Sequence, residues 1–353
     1  MFANGGRSHF SMPLIALFLI FCALSVIVNQ PPSYFRAWGR LAGFAMVVLI
    51  MSPMITSIKM SLLRHNLLFI ILWICAILSV GSFFCYFLGI NFFIMNEEVL
   101  AIRVGSFAGL FKHSMVLGPI AGLSSIFLYT LYLDEKKLWA LFLAICCVGS
   151  TFLSASRAAV AGCLVGIIVS YIRFYRGQIS KGVFVGLFIS IVLVASFPLW
   201  GGVTDFVMAK QAGNVAAGGT FSSRESIWDA RIAEIKENPI FGIGFSCVDE
   251  RYSYVDKSKG TIEPGSSWLA IFSMTGFFGF LTFLLVFCLA MRSAWSIPSK
   301  KSYFLSGCLS FYAVHLIFEG YLLAVGNFIG MLFWLFLGQV WDSIPTNSWH
   351  RKM

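Results

Sequence analysis

The sequence predicts an all-α polytopic membrane protein of about ten transmembrane helices, with one large extracytoplasmic loop containing short helices. Three observations predict it. Of 353 residues, 59% are hydrophobic and 11% charged, where a soluble domain carries roughly half and a quarter. Mean hydropathy is +0.86. The apolar residues gather in long uncharged runs, most of them close to the ~20 residues that a helix needs to cross a hydrocarbon core roughly 30 Å thick.

In chain order the runs fall near 12–28, 41–58, 67–90, 115–133, 138–153, 158–172, 183–200, 266–291, 303–318 and 321–341. The first has the basic flank of a signal peptide (Arg7, His9) but no small-x-small cleavage pattern, so it reads as a retained helix. With the N-terminus cytoplasmic, 13 Lys and Arg fall in the inside segments. Five (Arg36, Arg40, Arg103, Lys112 and Arg157) fall in the short outside ones. The positive-inside rule accepts this orientation and rejects its inverse. The same distribution assigns the formal charge of +10 to membrane orientation, so no nucleic-acid partner is expected. Of nine cysteines, all but Cys247 lie in apolar runs and read as packing residues, with no disulfide framework.

Residues 201–265 break the pattern of short connections. They are polar, hold nine of the 15 acidic residues and lie outside in this topology. The chain thus divides into an N-terminal bundle of about seven helices (1–200), the loop (201–265), and about three C-terminal helices (266–353). In the loop, Ser222 followed by Glu225 reads as a capping box opening a helix, and Pro239, Gly242 and Gly244 mark its end. Arg224, Trp228, Arg231 and Ile235 recur at helical spacing, which places both arginines on one face. Asp249 and Glu250 have no His or third carboxylate at ligand spacing, so neither a metal nor a cofactor is expected.

Other charges stand inside apolar stretches. Residues 138–172 contain one, Arg157, and are too few for two full spans and a turn, which sets this guanidinium below the outer membrane surface. It either faces a wet cavity or an anion, or snorkels to the interface. Between 303 and 341, Glu319 follows His315 by four residues, the spacing of one helical face. A proton-handling pair and a polar contact locking two helices both fit. Glu97, Glu98, Arg103, Lys112 and His113 flank a semi-polar stretch that suits an outside loop, a re-entrant element or an interfacial helix.

Four segments together resemble the O-antigen ligase and polysaccharide polymerase family of bacterial envelope proteins. The first is Ser154-Ala155-Ser156-Arg157 opening a helix. The second is Ser223-Arg224-Glu225-Ser226-Ile227-Trp228 with the exit Asn238-Pro239-Ile240-Phe241-Gly242-Ile243-Gly244-Phe245. The third is Ser267-Trp268-Leu269 with Thr275-Gly276-Phe277-Phe278-Gly279, and the fourth is the upstream Arg103-Val104-Gly105-Ser106-Phe107. The resemblance runs roughly from Arg103 to the C-terminus. Ligase-type members carry a His just ahead of the helix after the loop, whereas this chain reads Glu263-Pro264-Gly265-Ser266, which favours a polymerase.

The resemblance implies a glycosyltransferase of the bacterial plasma membrane that acts on glycan carried by undecaprenyl diphosphate, on the outer side, without metal or cofactor. Membrane lipid and a chain-length regulator are the other partners it suggests. In that chemistry Arg157 and Arg224 would clamp the diphosphate, guanidinium being suited to bidentate phosphate contacts. Arg231, Arg103, Ser266, His315 and Glu319 would contribute to substrate binding. Glu263 is the candidate proton acceptor for the attacking hydroxyl, with a solvated loop acid as its alternative reading. A ligase moving finished glycan to a lipid acceptor is the nearest rival. A transporter of lipid-linked sugars is the other, though no internal repeat supports related halves.

Overall fold

The computed structural model describes residues 11–55, 57–91, 107–176, 224–253, 255, 257–258, 260, 262–297 and 301–343. Among them no strand occurs, and ten α-helices follow in order. They are α1 (Ser11–Asn29), α2 (Ala37–Met51), α3 (Ile58–Phe87), α4 (Ser114–Glu135) and α5 (Leu138–Leu153). Then come α6 (Arg157–Phe174), α7 (Glu225–Glu237), α8 (Ser267–Ser296), α9 (Lys301–Phe318) and α10 (Phe328–Asp342). Among the described residues, six stretches are long and apolar enough to cross a membrane: α1, α2 with the turn before it, α3, α4, α6 and α8. The chain is therefore a multi-pass membrane protein. The expected span at 183–200, like Arg103 and Ser222, lies outside the described residues.

Two expected helices are shorter than their apolar runs, each for a local reason. α2 stops at Met51, two residues ahead of Pro53, which cannot continue a helix. α10 starts only at Phe328, because the Asn327 side chain accepts hydrogen bonds from the amides of Ile329 and Gly330 and caps the helix there.

By contact the helices form two units that interleave the linear division of the chain. The first comprises Met1–Leu68, Ser223–Ile297 and Leu316–Met353. Its core is aromatic: Phe18 packs on Phe283 and Phe44 at 5.5 and 6.3 Å between ring centres, and Phe44 meets Trp334 edge-on at 5.7 Å. Its other lock is ionic. Arg64 and Asp342, both buried, form a two-point pair at 2.8 and 2.9 Å. The same guanidinium donates to the carbonyl of Ser52, which the end of α2 leaves without a helical partner, and to that of Ile55 in the turn that follows.

The second unit comprises Phe69–Ser222 and Pro298–His315. Here α4 is buried along most of its length and helices approach closely through small residues. A Cβ on Gly166 would stand 2.9 Å from the carbonyl of Gly307. Ser170 Oγ donates to the Tyr303 carbonyl at 3.0 Å, and Ser150 Oγ to that of Ser79 at 2.7 Å. Lipid gives no hydrophobic incentive for helices to associate, so such close contacts and hydroxyl bonds carry the packing.

Candidate functional site

The first unit builds its site around α7 and the broken start of α8. α8 is interrupted at Gly276, whose φ of 71° and ψ of −173° are closed to other residues. The break frees backbone groups that the loop after α7 takes up. Ile243 donates to the Ser273 carbonyl at 2.8 Å, Gly244 to that of Met274 at 3.3 Å, and Phe277 donates to that of Pro239 at 2.8 Å. Gly242 (φ 69°) must be glycine for this contact, since a Cβ there would lie 2.5 Å from the Ser273 carbonyl oxygen. The two glycine-bearing motifs of the sequence are thus two halves of one backbone junction.

That junction holds α7 against α8 and sets Arg224 at the N-terminal edge of α7. Nη2 of Arg224 lies 3.0 Å from each carboxylate oxygen of Glu319. Nη1 donates to the Gly265 carbonyl at 2.9 Å and to that of Phe318. The pair is partly open, at 15% and 17% side-chain exposure. Glu319 is itself anchored: its carbonyl accepts from the Ser267 amide at 3.0 Å and the Ser267 hydroxyl at 2.6 Å. One turn into α7, the Trp228 ring lies 5.8 Å from that of Phe318.

Arg231 sits two turns further along the same helix in a different environment. It is fully buried with Glu234, 2.8 Å away, and its Nη1 also approaches Ser273 Oγ at 3.3 Å. Glu234 accepts from the Asp249 amide at 2.8 Å. Burial lowers the pKa of Arg231 and raises that of Glu234, and it pushes the neighbouring Cys247 thiol up to about 12. At the exposed end of α7, Arg251 joins Asp249 and Glu237, and Tyr252 donates to Glu237 at 2.6 Å. These contacts hold both carboxylates below the usual range.

The remaining candidates fall elsewhere. Glu263 is exposed. Ser266 is 2% exposed, where it caps α8 through the Leu269 amide and donates to the Leu316 carbonyl. In the second unit Arg157 is exposed at the first position of α6. The turn before it is fixed by Ala155 in the left-handed region (φ 52°), by the buried Ser154, and by Ser156 capping α6 through the Ala159 amide. His315 is buried and stacks on Phe311 at 5.1 Å.

One expectation is corrected: α9 ends at Phe318, so Glu319 leaves the helix and does not share a helical face with His315. Its carboxylate pairs with Arg224. Sequence reading also missed Ser267 as the residue that fixes Glu319, although the motif containing it was legible.

Comparison with known families supports the resemblance. Residues 140–284 match the O-antigen ligase family model. The O-antigen ligase match covers α5, α6, α7 and the broken first half of α8, with Arg157, Arg224, Arg231, Glu263 and Ser266, while His315 and Glu319 lie beyond it. It supports an O-antigen ligase or polymerase type of function. No curated protein matches the chain.

Proposed function

We propose that the protein is a polymerase of undecaprenyl diphosphate-linked repeat units, acting on the outer side of a bacterial plasma membrane with its N-terminus cytoplasmic. The observation that carries this reading is the Arg224–Glu319 pair, a partly open guanidinium and carboxylate held by three backbone anchors, at Gly265, Phe318 and Ser267. The acceptor sugar hydroxyl attacks the anomeric carbon of the donor, the bond to the diphosphate oxygen breaks, and the carrier leaves with its charge. Arg224 meets that growing charge. Its fork geometry takes two phosphate oxygens at once, and fixed donors of this kind are worth roughly 10²–10³ in rate.

Binding of diphosphate draws Arg224 away from Glu319 and leaves the carboxylate beside the reacting centre to take the hydroxyl proton. This gives Glu319 the role that sequence reasoning gave to Glu263. Arg157 is the phosphate-binding candidate of the second unit, while Arg231 and Ser266 position α7 and α8. Arg103 keeps its expected part in binding, and a chain-length regulator remains an expected partner.

The test is the glycan profile of a deletion strain carrying wild type or a variant, resolved by size and probed for lipid-linked single repeats. Arg224→Ala and Glu319→Gln accumulate single repeats, with polymer down by roughly 10²-fold or more, and Glu263→Gln makes normal polymer. Normal chain length with glycan stranded on its carrier indicates a ligase and defeats the polymerase reading. Normal polymer from Glu319→Gln removes its role as base.

A further inference from the structure

The loop turn after α7 carries two large apolar side chains that the junction with α8 does not bury: Ile240 is 53% and Phe241 39% exposed. Two helices fix the depth of this turn. Its hydrogen bonds place Pro239, Ile243 and Gly244 level with Ser273, Met274 and Phe277 of α8. α1 packs at the same level, since Ser25 Oγ donates to the Met274 carbonyl and Phe21 stacks on Phe278 at 5.8 Å. Yet α1 continues past Ser25 to Asn29, which is about 6 Å at 1.5 Å per residue. On that last turn Ile27 and Val28 are 53% and 52% exposed. The turn therefore lies below the loop-side end of an apolar helix.

α8 gives the same depth from its other end. From Phe277 to Ser296 the helix rises about 30 Å, the thickness of a hydrocarbon core. Irregular backbone within the hydrocarbon core is tolerated only where protein or a water-filled cavity covers it, and the level of Phe277 is the outer edge of that core, within reach of headgroups and water. Here Gly242 donates to the Asn238 carbonyl at 3.1 Å, and the Pro239 carbonyl accepts from Phe277 at 2.8 Å. The exposed apolar surface of Ile240 and Phe241 is continuous in level with that of Phe277 and Phe278, 48% and 46% exposed. The exposed charges Lys236 and Glu237 precede it on α7.

We infer that residues 239–241 are immersed in the outer leaflet, with Ile240 and Phe241 seated among glycerophospholipid acyl chains. The turn is then a bilayer anchor that fixes the height of α7 and of Arg224. The inference holds whatever sugar chemistry the protein performs.

The experiment uses the full chain in phosphatidylethanolamine and phosphatidylglycerol vesicles, with photoreactive p-benzoylphenylalanine replacing Phe241. Irradiation followed by intact-mass measurement is expected to add one phospholipid at this position, as at the control Phe278, and none at Tyr252. The same replacement of Ile240 serves if the first variant does not fold. An adduct at Phe278 without one at Phe241 or Ile240 overturns the inference. So does cross-linking to a second copy, or an adduct formed only after a polyprenyl diphosphate is added.

Discussion

Arg224 and Arg231 stand two turns apart on one short helix and each faces a glutamate, but the first pair is partly open and the second sealed. The sealed pair has already lost its water, so its charges have nothing left to exchange. A buried ion pair is weak as a source of stability and costly to break. The open pair keeps one side toward solvent and gives up its partner at modest cost, which is what a residue receiving a charged substrate requires. The two arginines share residue type and a helical face, and burial separates a structural arginine from one able to act.

The largest expected effect comes from breaking the sealed pair. Arg231→Ala leaves the Glu234 carboxylate buried alone and lowers stability by about 3–5 kcal/mol, read as detergent-phase unfolding or loss of membrane-inserted protein. The double change Arg231→Met with Glu234→Leu restores folding, because it removes both charges together. A single Arg231→Ala variant as stable as wild type contradicts the contrast drawn here. Next, Arg224→Ala retains its melting temperature to within about 1 kcal/mol of stability while losing polymer. If it unfolds like Arg231→Ala, the two pairs do the same job.

A smaller effect is expected for Arg224→Lys, which keeps the charge but loses the fork, and polymer yield falls by about tenfold. The smallest effect concerns Asp249, whose pKa the hydrogen bonds from Arg251 lower. Its contribution is present above the ordinary carboxylate value of about 4 and is lost as pH falls through the lowered value. An acid-active protease therefore cuts near Arg251 faster as pH drops through that window. A constant cutting rate disproves the assignment.

Much of the fold was legible because apolar run length measures a membrane directly. α1 and α5 lie where hydropathy places them, and the ends of α2 and α10 were misjudged only where Pro53 and Asn327 act within an apolar run. The site was legible one motif at a time. Arg224 and the Pro239–Gly244 exit stand out by residue type, but Glu319 is 95 residues from Arg224, and no periodicity links them. Its four-residue spacing from His315 pointed to a shared helical face that does not form, because the end of α9 is hidden in a continuous apolar stretch. The interlock of Gly242 with Gly276 is likewise a matter of backbone approach, which composition does not encode.

The Arg64–Asp342 clamp joins residues 278 apart in the chain, and this has a consequence for biogenesis. At 5–20 residues per second, roughly a quarter of a minute to a minute separates the synthesis of the two partners. Throughout that interval the guanidinium of Arg64 has no Asp342 to close on, although the carbonyls of Ser52 and Ile55 already emerge beside it. The nascent first helices must therefore be sheltered by lipid headgroups, water or the insertion machinery until α10 arrives. A chain truncated before Asp342 stays permanently at that stage and exposes an unpaired arginine to quality-control proteases.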